Sequence, residues 1–89
     1  MCRNIQNLYN FSPPVTDEEI RGASLQYVRK VSGMQKPSRA NAEAFERAID
    51  AVAEVSHQLL AELTTAAPAK DRETEAAKAR ARSAQRRAA

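Results

Sequence analysis

SRANAEAFERAIDAVAEVSHQLLAELT, residues Ser38 to Thr64, carries an unbroken helical pattern. At 100° per residue, Phe45, Ala48, Ile49, Val52, Ala53, Val55, Ser56, Leu59, Leu60 and Leu63 share one face. A helix of about 25 residues runs roughly 37 Å, with Ser38 or Asn41 as its cap. Its back is acidic: Glu43, Glu46, Asp50 and Glu54 lie opposite the apolar face, with Arg47 the positive exception.

Upstream, Thr16-Asp17-Glu18-Glu19 forms a capping box. The Thr16 hydroxyl accepts from the Glu19 N–H, the Glu19 carboxylate returns the bond, and three acids face the positive helix end. The helix so opened buries Ile20, Ala23, Ser24, Tyr27, Val28 and Val31 on one stripe. Leu25 falls off that stripe and calls for a second apolar partner, for which Ile5, Leu8 and Phe11 are the nearest residues. Ser32-Gly33 ends the helix, Gly33 taking the left-handed conformation past its last turn. The short link from Gly33 to Pro37 forces the two helices together as an antiparallel hairpin.

Residues 1–15 form an apolar arm carrying Ile5, Leu8, Tyr9, Phe11 and Val15, closed by Pro13-Pro14, which bars helix continuation. So many large side chains are costly in water, so the arm is expected to fold back on the helices, with one turn of helix around Ile5 to Tyr9. Residues 66–70 read as a hinge. Beyond it Asp71 caps a third helical segment, 71–89, in which no large apolar side chain appears. That segment has helix propensity and nothing to bury. The expected fold is all-α: the arm packed on a two-helix hairpin, a body of residues 1–65, followed by a solvated basic C-terminal helix.

Composition limits function more than it assigns one. The 89 residues make one small domain, too small for a large catalytic pocket. One cysteine forms no internal disulfide, and with one histidine it cannot supply a four-ligand zinc site, so no metal and no cofactor is expected. No apolar run approaches a membrane span, and the opening Met1-Cys2-Arg3-Asn4 is unlike a signal peptide, which gives a cytoplasmic expectation. The formal charge of +3 is mild.

That charge is unevenly placed. After Glu73 and Glu75 the chain carries only cations: Lys78, Arg80, Arg82, Arg86 and Arg87. Spread around an Ala-rich helix, they suit a phosphate backbone or an acidic protein face better than a single base edge, and no aromatic accompanies them to stack on bases. The bland alternative is a solvated terminus that aids solubility. A docking of the tail across Glu43, Asp50 and Glu54, within one molecule or between two, is a third option. Lys36 and Arg39, beside a helix start, form a weaker anion site, against which stands a plain inter-helix turn.

Cys2 is the one candidate for chemistry. Removal of Met1 would expose a thiol beside a free amine, with Arg3 favouring the thiolate, as in an enzyme nucleophile or a redox sensor. A nucleophile needs a base and oxyanion donors, and only His57 and Asn4 are on offer. His57 lies at the polar margin of its helix, where a surface histidine is the ordinary finding. The leading reading is a small non-enzymatic interaction protein that presents its basic tail to an anionic partner; the alternatives are a nucleic-acid or ribosome-associated protein, and Cys2 chemistry. A body of about 65 residues has a marginal core, so self-association through the long helix is also expected.

Cys2-Arg3-Asn4-Ile5, Asn10-Phe11-Ser12-Pro13-Pro14, Thr16-Asp17-Glu18-Glu19-Ile20, Leu25 to Gly33, and Pro37 to Asn41 with Ala44-Phe45-Glu46-Arg47-Ala48 resemble the short bacterial proteins grouped as domain of unknown function 2277. The similarity spans nearly the whole chain. It implies a bacterial cytoplasmic setting and brings no activity with it. Gly22 and Ser24 stand where alanines are expected, a departure that bears on helix stability rather than chemistry.

Overall fold

The computed structural model describes residues 5–88, so Cys2 lies outside the described residues. Three helices dominate: α1 (Asp17–Ser32), α2 (Ala42–Glu62) and α3 (Arg72–Ala88), with a single 3-10 turn, Arg39–Asn41, before α2. Two two-residue strands, β1 (Phe11–Ser12) and β2 (Lys70–Asp71), pair in parallel, Phe11 opposite Lys70 and Ser12 opposite Asp71. The fold is otherwise all-α.

Helix α1 begins and ends where its sequence dictates. The Glu19 N–H donates to Thr16 Oγ1 at 3.2 Å and the Thr16 N–H donates to Glu19 Oε1 at 2.9 Å, which completes the capping box. Gly33 takes φ 72°, and its N–H donates to the Arg29 carbonyl at 2.9 Å; a side chain is disfavoured in that conformation. The start of α2 differs from expectation. Neither Ser38 nor Asn41 makes a side-chain cap; Asn41 Nδ2 donates to Ser38 Oγ instead, and the chain enters α2 through the tighter 3-10 turn.

The hairpin is antiparallel. Asp17 lies beside His57 at its open end, Arg21 pairs with Asp50 and Glu46 in the middle, and Val28 joins Phe45 and Ile49 in the core. That core is small: Ile20, Val28, Phe45 and Ile49 are its buried apolar residues, with buried Ser24 donating to the Ile20 carbonyl at 2.8 Å. Leu25 packs on the cluster of Val28, Phe45 and Ile49. The α1 stripe is therefore rotated from the expected one, so that Tyr27 and Val31 stand 48% and 69% exposed.

The arm does fold back, but extended rather than helical. Asn7 Oδ1 accepts from the Tyr9 N–H at 2.9 Å, a local turn that competes with helix, and Asn10 adopts φ 63°. Ile5 and Leu8 reach a 240 Å³ cavity lined also by Ile20, Tyr27, Val52 and Leu60. Residues 63–69 then return from α2 to the arm. There Asn10 Nδ2 donates to the Pro68 carbonyl at 3.1 Å, the Lys70 N–H donates to the Asn10 carbonyl at 2.8 Å, and the strand pair follows.

Candidate functional site

Helix α3 is held to the body at its first turn. Asp71 caps it, its Oδ2 accepting from both the N–H and the hydroxyl of Thr74 at 2.8 Å, and these two bonds hold the Asp71 carboxyl below its ordinary range, the backbone donor contributing most. Arg72 Nη2 donates to both oxygens of Glu19 at 2.7 Å. Glu19 thus serves two tasks, closing the α1 capping box and receiving α3. Its carboxyl is held low first by the Thr16 N–H and then by Arg72. Arg72 Nε is buried without a partner among the described residues.

Between α3 and the arm lies a groove of 490 Å³ lined by Gln6, Asn7, Phe11, Lys70, Arg72, Glu75, Ala76, Ala79 and Arg82. Lys70 Nζ sits 4.5 Å from the centroid of the Phe11 ring, a cation–π contact that fixes the ammonium at the groove wall. Lys70, Arg72 and Arg82 line this concave surface, whose lining acid is Glu75, 3.8 Å from Lys78; Arg72 is already held by Glu19, so Lys70 and Arg82 are the cations the groove leaves for an anion. This arrangement suits an anion that lies along the groove.

The remaining cations continue from its mouth. Lys78, Arg80, Arg82, Arg86 and Arg87 are all exposed. Arg86 Nη2 donates to Ser83 Oγ at 3.2 Å, and neither Arg80 nor Arg82 has an ion pair among the described residues. At 100° per residue Lys78, Arg82 and Arg86 share an arc of about 80°, while Arg80 and Arg87 face the other side. The sequence reading missed Lys70 and Arg72 as members of this surface. By sequence Lys70 falls in a hinge, and only the pairing of β2 with a strand 59 residues earlier brings it beside Phe11.

Other candidates separate from this surface. The acidic back of α2 is partly neutralised, since Arg21 pairs with both Glu46 and Asp50 and Asp50 raises its pKa further. Among the described residues the ion pairs of α3 are made to Glu19 and within α3 itself, and none reaches Glu43, Asp50 or Glu54 as the intramolecular docking of the tail would require. His57 is exposed, with Nδ1 3.4 Å from Asp17 Oδ1, in a separate cleft of 390 Å³ with Arg21, Asp50 and Glu54. Lys36 and Arg39 are exposed on the connector, where Arg29 Nε takes the Gln35 carbonyl at 3.0 Å. Among the described residues no group of His, Cys, Asp and Glu is placed to hold a metal ion, and no helix is long and apolar enough to cross a membrane.

The family model described as "Uncharacterized conserved protein (DUF2277)" matches residues 1–78. The chain belongs to this family. Lys70, Arg72 and Lys78 fall within the DUF2277 match, and Arg80, Arg82, Arg86 and Arg87 follow it. No curated protein and no solved structure matches the chain.

Proposed function

We propose that this DUF2277 protein is a small non-enzymatic interaction protein of the cytoplasm that presents α3 and the adjoining groove to an anionic partner, either an acidic protein face or nucleic-acid phosphate. The supporting observation is that α3 touches the body only near its first turns and in the groove, leaving five cations exposed along its length. Among its described side chains α3 half-buries only Arg72, Glu75 and Ser83 and no large apolar residue, so what it offers is its surface, and that surface is positive. The absence of an aromatic from α3 favours backbone or acidic-surface contact over stacking on bases.

The test is fluorescence anisotropy of the full chain with two labelled probes at low salt, a DNA duplex and a polyglutamate peptide. A variant with Lys78, Arg80, Arg82, Arg86 and Arg87 all changed to Gln serves as comparison. The expected result is binding by the intact chain, weakened by salt and lost in the variant. Preference for the duplex makes the protein a nucleic-acid binder, and preference for the peptide makes it a protein-docking module. Failure of the intact chain to bind either probe, or equal binding by the variant, overturns the reading.

A further inference from the structure

The apolar arc of α2 is wider than its one partner helix covers. From α1 the core takes Phe45 and Ile49, while Ala44, Ala51, Val55 and Leu59 stay exposed along the same side as half-buried Ala48 and Val52. Across the seam, Tyr27 and Val31 of α1 and Met34 beyond it are exposed as well. Two cavities join these residues into one surface. A groove of 330 Å³ toward the connector is lined by Tyr27, Val31, Met34, Phe45 and Val52 among others, and the 240 Å³ cavity toward the arm shares Tyr27 and Val52 with it and adds Leu59.

We infer that this face is the interface of a homodimer, with a second copy of the chain as its occupant. Three observations select a second copy. The first is area. The chain exposes 7147 Å², against about 5,200 Å² for a compact monomer of its mass. Part of the excess belongs to α3. Tyr27, Val31, Met34, Val55 and Leu59 alone contribute roughly 450 Å² per copy, and the alanines with Val52 bring the face toward the roughly 800 Å² per partner of a standard interface.

The second observation is the lack of charge. In a two-fold interface each residue near the axis meets its own copy, so a charge there repels itself. Of the charged residues of α2, Glu43, Glu46, Arg47, Asp50 and Glu54 lie about 80° or more round the helix from Val55, and Glu62, about 20° from it, stands at the far end of the face and away from its centre. The third is the rim. Exposed Lys30, at the connector end of α1, and exposed Glu62, at the far end of α2, flank the same face at its opposite ends. A two-fold axis perpendicular to the helices packs α1 on the other copy's α1 and α2 on its α2 with their ends reversed, which brings Lys30 to the same end of the interface as the other copy's Glu62. The pairing is an antiparallel four-helix bundle whose small side chains Ala44, Ala48 and Ala51 allow close approach. No residue of α3 lines either cavity of this face, so the dimer presents two copies of the surface described above.

Sedimentation equilibrium of the full chain is expected to give twice 9.8 kDa at tens of micromolar. Val55→Lys, a change at a side chain 62% exposed in the single copy, is expected to give the single mass with helicity retained, while Glu54→Lys, about 100° round the helix from Val55, leaves the dimer intact. A measurement free of substitutions stands beside these. The thermal midpoint of the unaltered chain is expected to rise with concentration between about 5 and about 200 µM, because a partner that binds only the folded state stabilises it by mass action. A monomer throughout that range with a constant midpoint overturns the dimer. So does a Val55→Lys chain that keeps the double mass.

Discussion

Removing cations from α3 in two different sets separates a charged surface with a direction from charge in bulk. Lys78, Arg82 and Arg86 lie within an arc of about 80° and span roughly 12 Å along the helix axis. Arg80 and Arg87 lie about 140–160° away from Arg82. A rod-like polyanion lying on one side of α3 therefore meets three cations at once from the first set and two from the second. Each phosphate neutralised contributes about −0.9 to the slope of log K against log salt, so three contacts give about −2.7 and two give about −1.8. Raising salt from about 50 to about 200 mM then weakens the intact chain about 40-fold, and the triple Gln variant at 78, 82 and 86 about 12-fold at most. The double Gln variant at 80 and 87 keeps the steep slope. Anisotropy titrations with a duplex across four salt concentrations read these slopes. Identical slopes for the two variants, or a greater flattening from the double variant, would refute the directional surface.

Further expectations concern the body and its attachment. Ile49→Ala removes a side chain only 4% exposed from a core of four buried apolar residues; such truncations cost about 2–5 kcal/mol, comparable with the whole stability of so small a core, and urea titration should find the variant largely unfolded. Thr16→Ala deletes the hydroxyl acceptor of the capping box at a cost of about 1 kcal/mol, a fall in melting temperature of roughly 4–8 °C by calorimetry, whereas Thr16→Ser should restore it. Acid should release α3 before the hairpin melts. Glu19 and Asp71 are held below their free values of 4.5 and 3.8 in the folded chain, so their contribution is complete above those values and is lost as pH falls through the lower folded ones. Residue-resolved NMR shifts should show α3 changing first, and simultaneous loss of α3 and α2 would count against the attachment through Glu19.

How far the sequence revealed this fold depends on how local each determinant is. The start and end of α1 were legible because Thr16, Glu19 and Gly33 act within one helical turn of their own positions. The orientation of α1 was not, because periodicity marks an apolar arc without saying which part of it a neighbour covers. Leu25, read as facing the arm, turned inward, and Tyr27 and Val31 turned out. The strand pair was beyond reach for a different reason. Phe11–Ser12 and Lys70–Asp71 have no strand pattern, and their pairing exists because residues 63–69 lead the chain back to Asn10. The basic residues of α3 could be read from composition, but the groove that adds Lys70 and Arg72 depends on that return.

Amide hydrogen exchange tests most directly whether α3 contributes charge and no packing. Amides from Ala77 to Arg87 are expected to exchange through local opening, far faster than those around Ile49, which require the hairpin itself to unfold. Protection in α3 equal to that around Ile49 would mean that the helix belongs to the folded core, and would contradict the account.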